Sequence, residues 1–586
     1  MKDFFKFMLA SMLGFVLVLM VIFFISFGLF MGLMSLAEKQ EVAIQDNTVL
    51  RIDLKDPIPE RTPKTDFLTA FASGSLKTVI GLNDILRNIH DAKNDDRISG
   101  IILNLNIVPS GISTLEEIRH ALVDFKESGK FLLCYGEYMT QSAYYIGSVA
   151  DEVYLHPEGF IDFKGLNAQV LFMKGLLDKL DINMQIVRHG KYKSAVEPLI
   201  QKKMSEANRE QYTAFVNSLW DVLLEQISSS RNLSVEQLNA IADELMAFDA
   251  ELAMESGLVD DLVYRPGYRN ILKDKMGYDD INDVKVISLS QYSRTMKTFS
   301  VSKNQIAVIF ATGSIGNGLG GNEEVGADKF AETIAKVRRD DNVKAVVFRV
   351  NSPGGDALAS DIIWKELDLL KARKPVVVSM GNVAASGGYW ISSASDKILA
   401  NQTTLTGSIG VFGVIPDFGS FMENKLGITY DRVATNEHAG FPDIMQPLDD
   451  FEREVLQRKV NKVYALFLER VSSNRGLNVE EVDLIGEGRI WSGVDALEIG
   501  LIDAHGGLNS AIDLAAEIAG VEEYRLLELP VLKDPLEQLM EDMSAGVYNA
   551  GIKSELGPFY RDYLYIQSIL EWEGVQARMI QQPTLE

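Results

Sequence analysis

Two residues of this chain, Lys193 and Ser386, have the types and settings that nucleophilic catalysis needs. Ser386 lies in residues 384–390, AASGGYW, where the serine precedes two glycines. Lys193 lies in residues 191–198, KYKSAVEP, next to apolar positions. A serine hydroxyl becomes a good nucleophile only when a base takes its proton, and a lysine can be that base when burial keeps it neutral. The two segments therefore predict a serine nucleophile with a lysine base.

Glycine-containing segments are expected to supply the N–H groups that stabilise a negatively charged oxygen. Ser386 follows a predicted strand at 375–379 and should open a helix, which leaves the N–H of Gly387 free. The turn at 351–355, NSPGG, offers a second donor, from Gly354 or Gly355. Each such donor lowers the barrier by about 3 kcal/mol.

Alternatives for the base remain open at this level. Lys191 is expected to share a strand face with Lys193, and spacing alone does not choose between them. Glu197 could pair with Lys193, which would raise the pKa of the lysine and oppose the role. Triad partners need not be near in sequence, so a histidine base is also compatible. The candidates are His90, His120, His156, His189, His438 and His505.

The serine and the lysine lie in two halves of the chain that resemble each other at an offset of about 245 residues. Residues 136–151 match 381–396, and residues 256–260 match 499–503. Gln141 stands at the position that matches Ser386. The second half has no lysine where the first has Lys193. This pattern predicts a tandem duplication whose single site takes one residue from each copy.

Strands and helices alternate in both halves, which is typical of an α/β fold with a largely parallel sheet. In the first half, residues 101–105 and 131–135 are predicted strands, with helical periodicity at 115–125 between them. The same plan returns at 343–379. The expected domains are an anchor at 1–37, a lysine-supplying domain at 48–290, a serine-supplying domain at 303–525, and a tail at 526–586 with no assigned role and a helical pattern at 536–543.

The N-terminus carries an apolar stretch long enough to cross a bilayer. No charged residue occurs from Phe7 to Ala37, and about 20 apolar residues suffice to span a membrane. Lys2 and Lys6 precede the stretch, so the positive-inside tendency keeps the N-terminus in the cytoplasm and sends the rest across. Residues 35–37, SLA, resemble a signal-peptidase cleavage site. The stretch is about twice the usual signal-peptide length, which favours a retained anchor.

Composition excludes several classes of function. A length of 586 residues predicts two or more domains, and a net charge of −25 argues against nucleic-acid binding. The single cysteine, Cys134, rules out an intrachain disulfide. Motifs of α/β-hydrolases, zinc proteases and Cys/His metal clusters do not occur in the sequence, so we expect no metal and no cofactor.

Four segments in this order resemble the motifs of the S49 serine peptidases, in the long duplicated form known as the signal peptide peptidase A (protease IV) type. They are YKSAVEP at 192–198, NSPGG at 351–355, AASGGYW at 384–390 and TGSIG at 406–410. The resemblance implies a Clp protease/crotonase-type domain in each copy. The roles it implies are nucleophile for Ser386, general base for Lys193, lysine-orienting hydroxyl for Ser408, and oxyanion hole for Gly387 with Gly354 or Gly355.

The same resemblance implies surroundings and substrates. We expect a homotetramer in the bacterial inner membrane, anchored by one helix, with the catalytic body on the periplasmic side. The expected substrates are released signal peptides and other apolar, extended peptides. A crotonase-type acyl-CoA enzyme is a rival interpretation, but it would use carboxylates rather than Ser386. A membrane scaffold with a degenerate site is the other, and a serine-reactive probe would separate it from an enzyme.

Overall fold

The computed structural model describes residues 2–38, 44–63, 79–295, 302–321, 323–532, 574–579 and 584–585. The first helix, α1, comprises Lys2–Glu38. Among the described helices it is the one that is long and apolar enough to cross a membrane, over Lys6–Gly28, with a mean hydropathy of 2.9. The helical pattern predicted at 536–543 lies outside the described residues.

The first copy follows α1 and alternates strands with helices. Its helices and strands are β1 (Thr48–Ile52), α2 (Leu82–Asn94), β2 (Ile98–Asn104), α3 (Ile112–Lys126), β3 (Phe131–Gly136), β4 (Met139–Thr140), α4 (Gln141–Gly147), β5 (Glu152–Leu155), β6 (Ile161–Asp162), β7 (Ala168–Gln169), α5 (Lys174–Lys179), β8 (Asn183–His189), α6 (Glu197–Ile200), α7 (Glu206–Arg231), α8 (Val235–Asp243), α9 (Ala250–Glu255), β9 (Asp261–Leu262), α10 (Arg265–Lys275), β10 (Lys285–Ser288) and α11 (Leu289–Thr295). Short 3-10 turns occur at Ser194–Val196, Met246–Phe248 and Ile281–Asp283.

The second copy and the tail complete the chain. Their helices and strands are β11 (Gln305–Thr312), β12 (Ser314–Gly316), β13 (Glu324–Gly326), α12 (Ala327–Arg339), β14 (Val343–Ser352), β15 (Gly354–Asp356), α13 (Ala357–Lys371), β16 (Val376–Ala385), α14 (Gly387–Ser392), β17 (Lys397–Ala400), β18 (Leu405–Gly407), β19 (Val411–Asp417), α15 (Gly419–Leu426), α16 (Asp450–Arg475), α17 (Val479–Ile485), β20 (Ile490–Trp491), α18 (Gly493–Glu498), β21 (Ala504–His505), α19 (Leu508–Ala519), β22 (Arg525–Leu529), β23 (Gln576–Arg578) and β24 (Thr584–Leu585).

The strand order repeats between the copies. The first sheet runs β10-β1-β2-β3-β5-β9 with every pair parallel. The second runs β22-β11-β14-β16-β17-β21, also parallel, and a branch, β18 then β20, leaves it at the end of β16. Both interior strand sets are apolar because helices cover both faces. The expected α/β class and tandem duplication are confirmed.

Matched side chains make matched contacts in the two copies. The hydroxyl of Tyr144 donates to the carbonyl oxygen of Leu258 at 2.8 Å. The hydroxyl of Tyr389 donates to the carbonyl oxygen of Leu501, also at 2.8 Å. Each tyrosine is fully buried on the short helix after the third strand of its sheet. The repeat therefore extends from the order of the strands to individual hydrogen bonds.

The two copies share one apolar core and a buried ion network. Ile306 and Val347 of the second copy belong to the same buried cluster as strands β1 and β2 of the first. At this interface Arg349 donates to Glu60 at 2.8 Å and to Glu117 at 2.7 Å. Burial alone would lower the pKa of the guanidinium, but the two carboxylates outweigh burial and raise it. The network fixes the first copy against the strand that leads to the NSPGG turn.

Replacing Arg349 with methionine should destabilise the chain, because two buried carboxylates would lose their cation. Breaking a buried pair costs about 3 kcal/mol or more. We expect a clearly lower melting temperature at pH 7. Arg458→Met is the control, since its side chain is 63% exposed and its pair with Glu454 spans 3.5 Å. Equal melting temperatures for the two variants would contradict the role of the network.

Candidate active site

Strand β8 of the first copy joins a third sheet, β13-β12-β15-β23-β19-β8, whose other strands come from the second copy and the tail. It pairs antiparallel with β19 from Asn183 opposite Asp417 to His189 opposite Val411. The chain then turns at Gly190, whose φ is +108° and whose Cβ, if present, would lie 2.4 Å from the carbonyl oxygen of Glu487. This turn delivers the next residues of the first copy to the serine of the second.

Lys193 and Ser386 meet at the interface between the copies. The Nζ atom of Lys193 lies 2.8 Å from the Oγ atom of Ser386. It lies 3.0 Å from the Oγ atom of Ser408 and 3.1 Å from the carbonyl oxygen of the same residue. The lysine side chain is buried, and burial holds its pKa well below the ordinary value of 10.5. In the described part of the chain no carboxylate pairs with it.

The alternative bases named from the sequence lie elsewhere. Strand β8 ends before Lys191, so the expectation that it shares a face with Lys193 is wrong. Lys191 is exposed, with its ammonium 4.9 Å from the ring centre of Tyr192. Glu197 does not pair with Lys193, because its carboxylate accepts from Ser205 at 2.6 Å and from the side chain of Asn208 at 3.0 Å.

No histidine among the described residues hydrogen-bonds to the serine. Apart from Lys193, the Oγ atom of Ser386 has one partner, the carbonyl oxygen of Gly410 at 3.3 Å. His189 contacts Asn461 instead, and His438 contacts Glu452. The geometry therefore gives no support to a serine–histidine arrangement.

Ser386 sits at a strained point between a strand and a helix. Strand β16 continues past the predicted 375–379 as far as Ala385, and helix α14 begins at Gly387. The φ of Ser386 is +55°, a value that non-glycine residues adopt at a cost. Its N–H donates to the carbonyl oxygen of Gly407, and its own carbonyl accepts from Trp390, both at 2.8 Å. These bonds hold the side chain at the entrance of the helix.

A strand of the tail lies along the glycine turn. Strand β23 pairs antiparallel with β15, so that Ala577 faces Gly355. The N–H of Ala357 donates to Val575 at 3.1 Å, and that of Met579 donates to Pro353 at 2.8 Å. Because hydrogen-bonded pairs alternate along an antiparallel ladder, Gly355 and Ala577 also form such a pair. The tail, which received no role from the sequence, therefore reaches the candidate site.

The carbonyl oxygen of Ala577 lies among the glycines that were expected to form an oxyanion hole. A Cβ on Gly354 would stand 2.2 Å from this oxygen and 2.6 Å from the nitrogen of Gly387. The N–H of Gly354 itself donates to Ser352 at 3.2 Å. The geometry therefore favours Gly355, with Gly387, as the pair of donors.

Comparison with known proteins identifies the family. The model of "Peptidase family S49" matches the chain twice, over residues 124–277 and 368–522. The chain is also 38% identical to Protease 4 of Salmonella typhi over 479 residues, which cover 80% of this chain and 76% of that protein. The chain belongs to peptidase family S49. It is thus a hydrolase of the serine-peptidase type that acts on peptide substrates.

Two further relatives are informative. The chain is 31% identical to "Serine protease SPPA, chloroplastic" of Arabidopsis thaliana, over 92% of this chain and 78% of that protein. It is 34% identical to "Putative signal peptide peptidase SppA" of Enterococcus faecium, over 40% of this chain and 66% of that protein. A solved ClpP1 mutant from Listeria monocytogenes covers 35% of this chain at 13% identity with a TM-score of 0.24, too low to bear on the fold.

Two residues that the sequence did not single out position the lysine of this S49 peptidase. The side-chain amide of Gln211 donates to the carbonyl oxygen of Tyr192 at 3.1 Å and to the hydroxyl of Ser194 at 2.8 Å, on either side of Lys193. Its oxygen accepts from the N–H of Ile490 in the second copy. A Cβ on Gly488 would lie 2.6 Å from the Cα atom of Lys193. No local sequence signal marks such contacts.

The first copy of the peptidase has no hydroxyl at the position that matches Ser386. Gln141, which stands where the second copy has its serine, accepts from the N–H groups of Lys164 and Gly165 and donates to the carbonyl oxygen of Gly165. Asn382 of the second copy occupies the adjacent turn and accepts from the N–H of Thr114 at 3.1 Å. The first copy therefore has an amide, and no serine, at the position that matches Ser386.

Replacing Lys193 with methionine should stabilise the chain at neutral pH. Because burial depresses the pKa of the amine, the unfolded chain binds more protons than the folded chain between the depressed and the ordinary value. The stability of the wild type therefore rises with pH across that window. We expect the variant to melt about 2 °C or more above the wild type at pH 7, with the difference shrinking as pH approaches about 11. An unchanged difference across pH would contradict a depressed pKa, and Lys191→Met should change little.

Gly354→Ala should abolish most activity, because the added methyl group would collide with the backbone at the nitrogen of Gly387 and displace the glycine N–H groups. We expect kcat to fall about 100-fold or more, the effect of losing an oxyanion donor. Gly427→Ala is the matched control. Its φ of +68° is also positive, but apart from its chain neighbours no atom lies within 4 Å of the added carbon. Equal losses of activity in both variants would assign the effect to backbone strain alone.

Proposed function

We propose that this S49 peptidase is a membrane-anchored serine endopeptidase with a Ser386/Lys193 dyad, and that it degrades released signal peptides and other apolar, extended peptides. The observation that carries the proposal is the 2.8 Å contact between a buried amine, which has no carboxylate partner among the described residues, and the hydroxyl of a strained serine. A neutral amine in this position can accept a proton, whereas an ion-paired ammonium cannot.

In the first step, neutral Lys193 takes the proton of Ser386 as its Oγ atom attacks the carbonyl carbon of the substrate. The resulting oxyanion lies between the N–H groups of Gly387 and Gly355. These donors already point at it, so they stabilise the charge without any reorganisation during the reaction. Ser408 contacts Nζ with both its hydroxyl and its carbonyl oxygen, so the new ammonium keeps hydrogen-bond acceptors. No metal or cofactor takes part in this proposal.

In the second step, the C–N bond breaks and the ammonium of Lys193 returns its proton to the leaving amine. A small cavity lined by Lys193, Ser408 and Met579 supports this proton transfer. Met579 lies two residues after Ala577, whose carbonyl oxygen marks the candidate oxyanion site, so the cavity joins Lys193 to the side of the leaving amine. Water then enters, Lys193 removes its proton, and hydroxide attacks the acyl ester. The carboxylic acid leaves, and Ser386 recovers its proton.

The groove that β23 occupies supports the proposed substrate class. This tail strand lies between β15 and β19, held by backbone bonds that do not depend on side chains. A peptide in this position must be extended, which excludes folded proteins. Val575 and Ala577 are buried, so the groove accepts apolar side chains. The name of the Enterococcus relative, a signal peptide peptidase, points to the same class.

The location and assembly are part of the proposal. We propose that α1 anchors the chain once in a bacterial inner membrane, with the body on the periplasmic side, because Lys2 and Lys6 precede the apolar stretch. A homotetramer rests on the resemblance of the four motifs to the long S49 peptidases. We place the domain that supplies the lysine at residues 48–290 and the domain that supplies the serine at 303–525.

The dyad is tested by labelling the detergent-solubilised chain with a fluorophosphonate probe. We expect wild type to be labelled at Ser386, as located by peptide mass spectrometry, and Lys193→Ala to lose about 1,000-fold or more in labelling rate. Lys191→Ala serves as the matched control and should be labelled like wild type. Labelling that survives in Lys193→Ala would overturn the dyad. Absence of labelling in folded wild type would favour a non-catalytic scaffold.

The substrate class is tested with a synthetic signal peptide and a stable folded protein of similar apolar content when unfolded. We expect wild type to cleave the peptide internally and to leave the folded protein intact, with Ser386→Ala cleaving neither. Products identified by mass spectrometry give the cleaved bonds. Equal cleavage of the folded protein would contradict a groove restricted to extended chains.

A further inference from the structure

We propose that a cleft beside Gln141 of the first copy binds the part of the substrate that follows the scissile bond, and selects apolar residues there. The proposal rests on the dyad of the preceding section. The cleft lies between the two copies, is open to solvent and has a volume of about 470 Å³. Its lining includes Val108, Gln141 and Leu166 of the first copy and Val383 and Leu405 of the second.

The tail strand gives the direction of a bound peptide. The carbonyl oxygen of Ala577 lies beside the nitrogens of Gly355 and Gly387, so the bond from Ala577 to Arg578 lies where a scissile bond would. Residues after this bond therefore trace the path of a leaving group. Met579 is the second of them, and its N–H is held by the carbonyl oxygen of Pro353.

The packing of Met579 indicates that a peptide runs from the scissile bond toward the cleft. Its side chain is 7% exposed and packs in one apolar cluster with Phe215 and Leu219 of the first copy and with Val383 and Leu405 of the second. These four residues also line the cleft. The cleft thus begins where the second residue after the scissile bond is buried, and continues away from Ser386 toward the first copy.

The far end of the path is marked by the tail as well. Strand β24, Thr584–Leu585, pairs antiparallel with Ala168–Gln169. This pairing begins two residues past Leu166, which lines the cleft and packs against the cluster around Met579. A peptide that leaves Ser386 along the cleft therefore has a free strand edge to pair with when the tail does not occupy it.

The cleft beside Gln141 is suited to binding because a glutamine side chain does not attack a bound peptide. Gln141 stands in place of a nucleophile, and its amide holds the loop at 164–165 that forms one wall. Apolar side chains line the cleft together with Asp162, Lys164 and several serine and threonine hydroxyls, and Ile107, at 48% exposure, is open to solvent there. An extended apolar peptide would bury these side chains, and each buried apolar residue adds to affinity.

The test compares two quenched fluorescent peptides that are identical around the scissile bond. The short one ends two residues past the bond. The long one continues with apolar residues over the same number of positions that separate Ala577 from β24 in the tail. For wild type we expect kcat/KM of the long peptide to exceed that of the short one about tenfold or more, the effect of burying one large apolar side chain. A long peptide extended with Gly and Ser should lose this advantage. The ratio cancels competition from the chain's own tail.

Variants place the effect in the cleft. Ile107→Asp and Leu166→Asp should lower the ratio of long to short to about two or less, since a charge would face the apolar extension. Leu484→Asp, at a side chain 86% exposed and outside the cleft, should keep the wild-type ratio. A ratio of one in wild type, or an unchanged ratio in both cleft variants, would overturn the proposal.

A binding measurement separates this proposal from the dyad. The long peptide should bind the Ser386→Ala chain more tightly than the short one by fluorescence anisotropy, and Ile107→Asp should remove the difference. Failure of the dyad would instead appear as unlabelled Ser386 and no cleavage of either peptide. Equal binding of both peptides would overturn the cleft even if cleavage occurs.

Discussion

The structure depends on the burial of one amine without an acidic partner. An ammonium taken from water into an apolar interior is costly unless it loses its proton or gains a counter-charge. Around Lys193 the described chain supplies two serines and no carboxylate, so burial depresses its pKa. The nearest acidic candidate, Glu197, is committed to Ser205 and Asn208. The surroundings of Lys193 therefore favour the uncharged amine over the ammonium.

That burial explains how the duplication is used. Neither copy alone encloses the lysine, because β8 of the first copy pairs with β19 of the second, and Gly488 of the second leaves space for the lysine backbone. The buried network around Arg349 and the shared core hold the copies in one arrangement. The first copy has Gln141 where the second has Ser386, and under our proposal its cleft binds peptide.

Local patterns predicted much of this arrangement. The alternation of strands and helices, the repeat, and the segments carrying Ser386, Lys193 and Ser408 are short-range features, and the structure brings these three side chains together. Long-range pairings could not be predicted in the same way. The antiparallel match of β8 with β19 and the insertion of β23 join residues far apart in sequence, with no pattern that selects the partner. The prediction that Lys191 shares a strand face with Lys193 was wrong because β8 ends at His189 and the chain turns at Gly190, against Glu487 of the second copy.

The most direct test of a neutral buried base is to titrate Lys193 itself. With lysines labelled at the ε-carbon with ¹³C, the Lys193 signal can be assigned by its absence from Lys193→Arg, and its shift followed from pH 6 to 11 in Ser386→Ala and wild-type chains. We predict that this one signal titrates well below the ordinary value of 10.5. A Lys193 signal that stays in the ammonium form up to pH 10 would contradict the account.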